Sequence, residues 1–226
     1  MISDPVETVQ QWRCKYNPQI PLPHALYGKE RSNSKGIDLT DVDDASKMKA
    51  NLDNWFAENR INDGDARIPA KWDTKVFNPA NHDEVIGYLQ HADEAKMKQI
   101  LETAQSAFES WSATTVEERA ELLRKVGDKL EEHRDELIAL CIKEAGKIPV
   151  DGVSEVREAI DFCRYYAARA EELMADDNLA SRGVVLCISP WNFPLAIFLG
   201  QVAAAVVTGN TVVAKPAEQT SLIALR

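Results

Sequence analysis

Two polar segments, each directly after an apolar run rich in β-branched residues, carry the residue types best suited to chemistry. The first segment, residues 189–194, reads SPWNFP, and the second, residues 215–218, reads KPAE. Amide, ammonium and carboxylate side chains hold polar substrates and nucleotides by hydrogen bonding. These two segments therefore contain the candidate functional residues of the chain.

Asn192 lies in the first segment between Pro190 and Pro194. Proline fixes its own φ angle and restricts the residue before it, so the Asn192 amide can be held in one orientation. A fixed amide donor suits the stabilisation of an oxyanion that develops on a substrate carbonyl. From the residues alone, the alternative is that Asn192 caps the helix that follows it.

Lys215 and Glu218 belong to the second segment. At the carboxyl end of a strand, this pair can hydrogen-bond the ribose hydroxyls or a nearby phosphate of a nucleotide. The alternative is a solvated pair at the edge of a sheet. The sequence contains neither a GxGxxG nor a Walker motif, so those motifs do not support the nucleotide interpretation.

The elements around these segments predict a strand, helix and strand. Residues 184–189 are apolar on both faces, which is typical of a buried parallel strand. Small apolar residues at 195–207 predict a tightly packed helix, and the β-branched run 211–214 predicts a second strand. Ligands of open parallel sheets bind beyond the carboxyl ends of the strands, where both polar segments lie.

The predicted fold class is α/β, with helices and a hairpin before the first βαβ unit of an incomplete Rossmann-like sheet. Residues 1–39 read as a connector, with a proline-rich run followed by polar residues. Thr40 is the predicted cap of a helix that runs to about Arg60, with a break at residues 63–65. The runs 75–77 and 85–89 predict a hairpin. Three amphipathic helices are predicted after it, at 93–111, 116–145 and about 153–174.

Local signals define several helix ends. Thr115 and Glu118 form a capping box before the long predicted helix, and Gly146 is expected to end it. After the second polar segment, Thr220 or Ser221 is the predicted cap of a last helix.

Composition excludes several classes of protein. The 226 residues carry 26 basic and 36 acidic side chains and no basic stripe with interleaved aromatic residues, so we expect no nucleic-acid binding. No apolar run reaches the roughly 20 residues of a membrane span. The polar, acidic amino terminus is unlike a signal peptide, so we expect a cytoplasmic protein.

Cysteine and histidine spacing predicts neither a disulfide framework nor a metal site. Cys187 lies inside the predicted strand and is expected to be structural rather than a nucleophile. The other cysteines are expected to be reduced thiols, and the histidines surface residues; they are Cys14, Cys141, Cys163, His24, His82, His91 and His133.

The motif PWNFP, followed by KPAE 21 positions after its last proline, resembles the aldehyde dehydrogenase superfamily. The hairpin sequences NPA and EVIG also fit the amino-terminal region of that family. The resemblance implies that Asn192 donates to the oxyanion and that Lys215 and Glu218 hold the adenosine ribose of NAD. It also implies that four residues line the cofactor cleft: Ile188, Ser189, Pro190 and Trp191.

A narrower resemblance covers almost the whole chain. The connector sequences IPLP, YG, ERSNS and GIDL, with EVREAIDFCRYYA at 155–167, are similar to the bifunctional proline utilization A family. That resemblance implies an upstream proline dehydrogenase barrel with FAD and a dehydrogenase for glutamate semialdehyde. It also implies a homo-oligomeric parent protein and allows peripheral membrane association.

Two substrate residues follow from this narrower resemblance. It implies that Glu158 approaches the substrate aldehyde and that Phe193 packs on the substrate stem. For Glu158, the alternative is an ion pair with Arg157 or Arg164. For Phe193, the alternative is simple core packing.

The nucleophile motif GQxC, the general-base motif ELGG and the glycine turn that receives the cofactor pyrophosphate do not occur in these residues. We therefore expect a fragment, inactive alone, with a connector at 1–39, a helical and hairpin part at 40–182 and the start of the NAD-binding subdomain at 183–226. The alternatives are a piece of another aldehyde dehydrogenase and a non-catalytic packing or assembly module.

Overall fold

A helical layer packs against one strand–helix–strand unit in the computed structural model. It describes residues 4–11, 19–59, 72, 74–176 and 178–226. The predicted break at 63–65, the residues Cys14 and Arg60, and the start of the proline-rich run lie outside the described residues. Before residue 40, a helix α1 (Pro5–Gln11) and a 3₁₀ turn (Pro23–Ala25) are formed.

Asp41, rather than the predicted Thr40, caps helix α2 (Val42–Glu58). The Asp41 carboxylate accepts from the backbone N–H groups of Asp43 and Asp44 at 2.8 and 3.2 Å. The Thr40 hydroxyl instead donates to Asp38. A carboxylate at the positive end of a helix also gains from the helix dipole, which explains the preference for aspartate.

The predicted hairpin is confirmed, with a tighter turn than the sequence indicated. Strands β1 (Thr74–Asn78) and β2 (Asn81–Leu89) pair antiparallel, so only Pro79 and Ala80 form the turn. The side chain of Asn78 closes this turn by accepting from the Ala80 N–H at 2.9 Å.

Helix α3 (Glu94–Ser112) is formed as predicted, but its apolar face is largely uncovered by the described residues. Ala104 is its one buried residue, and Met97 and Leu101 are exposed. The C-terminal end is fixed by Trp111, whose indole N–H donates to the Val206 carbonyl at 3.0 Å.

The single helix predicted over 116–145 is wrong. The chain forms α4 (Val116–Glu132) and α5 (Arg134–Ala145), with a break at His133, where φ is −96° and ψ is 14°. The break lets α5 turn toward α2, while α4 packs against the long helix at Pro149–Leu173. The capping box of Thr115 with Glu118 and the left-handed Gly146 that ends α5 are both confirmed.

Helix α6 (Pro149–Leu173) forms the centre of the helical layer. It begins four residues before the predicted start, because Pro149 is tolerated in a first turn, where its absent N–H is not needed. Its small buried residues allow close helix packing; they include Ala159, Cys163, Ala167 and Ala170.

Residues 31–36 of the predicted connector lie against this helical layer. The backbone N–H and the hydroxyl of Ser34 both donate to the Asp161 carboxylate of α6, each at 2.8 Å. Arg134 donates to the Gly36 carbonyl. This part of the connector is therefore held by hydrogen bonds to the helices that follow it.

The predicted βαβ unit is confirmed. Strand β3 (Val184–Ile188) and strand β4 (Thr211–Lys215) pair in parallel, and helix α7 (Ala196–Val207) connects them. The prediction that β3 is buried on both faces is wrong for the described residues, since Leu186 is 60% and Ile188 58% exposed. Helix α7 packs on the sheet, and no described element covers the face that carries these two side chains.

Arg119 is buried and joins the C-terminal ends of two helices. Its Nε donates to the Val207 carbonyl of α7 at 2.9 Å, and its Nη1 donates to the Thr114 carbonyl after α3. Helix C-termini leave carbonyl groups without partners inside the helix, and burial makes an unpaired carbonyl costly.

Replacing Arg119 with Met is therefore expected to lower the free energy of unfolding by about 2–4 kcal/mol, measured by urea denaturation. Arg124→Met is the control, because Arg124 pairs with Glu171 at a partly exposed site. Its cost should be about 1 kcal/mol or less. Equal losses in the two variants would contradict the role assigned to Arg119.

Candidate functional site

The two polar segments lie side by side, as predicted. Ile188 and Lys215 are register partners at the ends of the parallel strands. The Ser189 N–H continues the ladder by donating to the Lys215 carbonyl at 3.2 Å. Because the strands are parallel, both segments leave the sheet at the same edge.

Most of the predicted site side chains face solvent at this edge. Asn192, Lys215 and Glu218 are exposed, and Trp191 is 57% exposed. The Lys215 ammonium donates to the carbonyl of its neighbour Pro216 at 3.2 Å. The cationic, amide and carboxylate groups thus lie on the same edge and are accessible to a ligand.

Ser189 differs from its neighbours because its side chain is buried. Its hydroxyl oxygen is shielded from solvent and has no hydrogen-bond partner among the described residues. Buried polar groups are normally paired, so the unpaired Ser189 hydroxyl is an exception among the described residues of this edge.

Asn192 does not cap α7, so that alternative is wrong. The helix begins at Ala196, and its N-cap residue Leu195 provides no side-chain hydrogen bond. Instead, Oε2 of Glu155 on α6 accepts from the N–H groups of Leu195 and Ala196 at 3.3 and 2.9 Å. The Asn192 amide is therefore not used to start the helix.

Glu155 is only 1% exposed, and its negative charge is compensated by Lys147. The Lys147 ammonium lies 2.8 Å from Oε1 of Glu155 and 4.4 Å from the centre of the Phe193 ring. An ammonium over an aromatic face is attracted by the ring quadrupole. Phe193 remains partly exposed, so simple core packing does not describe it.

Glu158 lies on α6 close to this cluster. Burial and then the negative charge of Glu155 raise the pKa of Glu158, while Lys147 opposes them. The alternative of an arginine pair is wrong, because Arg164 pairs with Asp128 and Glu131. The guanidinium of Arg157 donates to the Ser34 hydroxyl.

A second buried glutamate starts the helix after β4. Helix α8 (Ser221–Leu225) presents the N–H groups of Leu222 and Ile223 to the two carboxylate oxygens of Glu144 on α5, at 2.7 and 2.8 Å. Thr220 occupies the N-cap position, as predicted, but its side chain forms no cap hydrogen bond, and the Ser221 hydroxyl donates to the Ala217 carbonyl.

Sequence reasoning missed Glu144, Glu155 and Lys147. The available signal was an acidic residue on the apolar face of a helix, since Glu144 follows buried Leu137 and Cys141 at helical spacing. Acidic side chains are almost never fully buried unless they are paired. Such positions predict a partner, although the sequence does not say which residue it is.

The described cysteines are free and buried and the described histidines lie at the surface, as predicted. Cys141, Cys163 and Cys187 are free and buried, and burial raises the pKa of the Cys187 thiol. Among the described residues, no group of three or more histidine, cysteine or acidic side chains could hold a metal ion. None of the described helices is long and apolar enough to cross a membrane.

One family model matches most of the chain, including both polar segments. Residues 69–226 match the model of the aldehyde dehydrogenase family. The chain therefore belongs to the aldehyde dehydrogenase family.

Two groups of curated relatives are similar to this chain. Bifunctional protein PutA of Salmonella typhimurium is 41% identical over 239 residues, a match that covers 99% of this chain and 18% of PutA. The 1-pyrroline-5-carboxylate dehydrogenase of Bacillus pumilus is 40% identical and covers 71% of this chain and 33% of its own length. The chain thus spans about a fifth of the length of its PutA relatives.

Solved structures agree with these relatives. Proline utilization A from Bdellovibrio bacteriovorus inactivated by N-propargylglycine superposes with a TM-score of 0.76 at 35% identity, covering 91% of this chain and 23% of its own. A Thermus 1-pyrroline-5-carboxylate dehydrogenase with bound NAD gives 0.74 at 30% identity, covering 84% and 40%.

Glu144 predicts a pH dependence of stability. Burial raises its pKa to about 7, although hydrogen bonds from Leu222, Ile223 and Ser221 oppose the rise. The folded state then binds more protons than the unfolded state between pH 4.5 and 7, so this contribution to stability falls as pH rises through that window. The full span corresponds to about 3 kcal/mol.

Urea unfolding at pH 5 and pH 8 measures this effect, which should disappear in Glu144→Gln. Glu136→Gln is the control, because its hydrogen bond to Arg226 lowers the pKa of Glu136. The contribution of Glu136 to stability is lost as pH falls, which is the opposite sign. An unchanged pH dependence in Glu144→Gln would exclude this assignment.

Proposed function

We propose that this chain supplies the oxyanion donor and part of the NAD site of a dehydrogenase that oxidises L-glutamate γ-semialdehyde to glutamate in proline catabolism. The observation that carries the proposal is the exposed Asn192 after β3, at the sheet edge where Lys215 ends β4 and exposed Glu218 follows it. The similarity to PutA and to 1-pyrroline-5-carboxylate dehydrogenases supports the substrate.

Asn192 acts as the oxyanion donor in this proposal. Its amide N–H is free of the helix start and lies in a segment whose ends are fixed by the strand ladder and by Glu155. A donor that is already oriented stabilises the negative charge that develops on the aldehyde oxygen without reorganisation during the reaction.

The residues at the sheet edge fit the nucleoside part of NAD. Lys215 and Glu218 would hold the adenosine ribose, and Ile188, Ser189 and Pro190 at the end of β3 would line the cleft. Trp191 would add its exposed ring to the cleft wall. NAD, when bound, supplies the hydride acceptor of the reaction.

Glu158 and Phe193 are proposed to contact the substrate. Both lie beside Lys147, so the carboxylate and the ring approach one region next to Asn192. Burial and then the charge of Glu155 raise the pKa of Glu158, and Lys147 opposes this rise.

We also propose that the segment functions within a longer bifunctional protein whose proline dehydrogenase domain carries FAD. The PutA similarity over nearly the whole chain supports this. Homo-oligomerisation, peripheral membrane association and a cytoplasmic location of that protein remain predictions.

A packing or assembly role is the second candidate function. The exposed apolar side chains of Leu186 and Ile188 favour it, because strands of this kind are usually covered. Calorimetric titration of the 226-residue chain with NAD helps to separate the two functions. We expect no clear binding, and clear binding would favour a cofactor cleft formed by these residues alone.

In the dehydrogenase that contains this segment, Asn192→Ala is expected to lower kcat about 10²–10³-fold with little change in the KM for NAD. Steady-state NADH production from pyrroline-5-carboxylate measures this. Asn54→Ala is the control, because Asn54 is exposed on α2 away from the sheet edge. A normal kcat in Asn192→Ala would remove Asn192 from the mechanism.

A polypeptide limited to these 226 residues should produce no NADH from NAD and pyrroline-5-carboxylate. These residues contain neither GQxC nor ELGG, so we propose that they lack the nucleophile and the general base. Absorbance at the NADH band is the measurement. Turnover that Asn192→Ala abolishes would show that a nucleophile lies among these residues.

A further inference from the structure

Lys147 lies in the turn between α5 and α6 and reaches two separate parts of the site. Its ammonium is 2.8 Å from Oε1 of Glu155 and 4.4 Å from the centre of the Phe193 ring. Its side chain is largely buried, and its own backbone N–H donates to the Cys141 carbonyl at 3.3 Å. The ammonium is therefore held in place by the helical layer.

Glu155 connects the Lys147 ammonium to the start of α7. Its other oxygen, Oε2, accepts from the N–H groups of Leu195 and Ala196. Since Leu195 offers no side-chain cap, Glu155 provides the acceptor for the first turn of the helix. The place where α7 begins thus depends on a carboxylate that Lys147 neutralises.

We propose that Lys147 and Glu155 are positioning residues for the oxyanion segment, defined as residues 189–195, and that they act on catalysis through Asn192. The inference rests on the proposed function, because it assigns these residues to the same oxyanion site. Neither residue needs to contact the reacting atoms.

The oxyanion segment is short and is fixed at three points. The strand ladder holds Ser189 at its beginning, and Glu155 holds Leu195 at its end. Between them, the Phe193 ring lies on the Lys147 ammonium, and Pro194 is fully buried. Asn192, the neighbour of Phe193, is left exposed with little freedom to move.

Removal of the Lys147 charge acts on both contacts at once. Glu155 would be left buried without its counter-ion and would draw in water, so its hydrogen bonds to Leu195 and Ala196 would weaken. Phe193 would lose the cation beneath its ring. Each change loosens the segment on a different side of Asn192.

Amide hydrogen exchange of the 226-residue chain, followed by ¹⁵N NMR, tests the physical part of the proposal. In Lys147→Met and in Glu155→Gln, the protection of the Leu195 and Ala196 amides is expected to fall at least tenfold. Protection of α4 should stay within twofold. Unchanged protection at Leu195 and Ala196 would overturn the proposal.

Lys143→Met is the matched control. Lys143 also forms an ion pair with a glutamate, Glu84, at 2.6 Å, and it lies 4.9 Å from the centre of the Phe56 ring. It makes the same two kinds of contact away from the oxyanion segment. Its loss should leave the protection of Leu195 and Ala196 within twofold, and a tenfold fall would contradict a specific role for Lys147.

Kinetics of the dehydrogenase that contains this segment test the catalytic part. Lys147→Met is expected to lower kcat at least tenfold while the KM for NAD changes less than twofold. In the Asn192→Ala background the same substitution should change kcat less than twofold, because its effect passes through Asn192. Equal factors in both backgrounds would show a general structural effect and overturn the proposal.

Lys147→Arg keeps the charge and is expected to retain kcat within about threefold. If Lys147→Met does not fold, Lys147→Arg is measured in its place. In that case, Lys147→Arg with a tenfold lower kcat and normal Leu195 and Ala196 protection would overturn the proposal. A wild-type protein without dehydrogenase activity would refute the proposed function instead, while the exchange measurement would still decide whether Lys147 and Glu155 position the segment.

Discussion

Two buried glutamates of the helical layer accept the first N–H groups of the helices that follow the two strands, and the site depends on this contact. Glu155 does so for α7 and Glu144 for α8. A buried carboxylate is costly alone, and so are unpaired N–H groups at a buried helix start. The N–H groups donate hydrogen bonds to the carboxylates, so both kinds of group are paired and the helical layer is fixed to the βαβ unit.

This arrangement divides the polar side chains into buried ones that start helices and exposed ones at the sheet edge. Because the buried glutamates start the helices, the side chains of Asn192 and Glu218 are not needed as helix caps and are exposed to solvent. Helix α6 shows the same division within one turn, since Glu155 points inward to the helix start and Glu158 lies at the surface. Arg119 plays the corresponding part at helix C-termini, where its guanidinium donates to carbonyl groups such as that of Val207 at the end of α7.

Membership of the aldehyde dehydrogenase family narrows the reactions that this sheet edge can be assigned to. An α/β edge binds many ligands, and fold alone does not define a reaction. Here, the family model covers both polar segments, and the strand register brings them to one edge of the sheet. The side chains of Leu186 and Ile188 leave one face of the same sheet uncovered by the described residues.

The sequence by itself determined the βαβ unit, the hairpin, the capping box at Thr115 and the end of α5 at Gly146, because these depend on periodicity and on residues a few positions apart. The motif at Asn192 also identified the family. Tertiary structure decided the break at His133 and the partners of Glu155 and Glu144, which lie 40 and 78 residues away along the chain. A local pattern can show that a buried acid needs a partner, but only packing brings that partner within hydrogen-bonding distance.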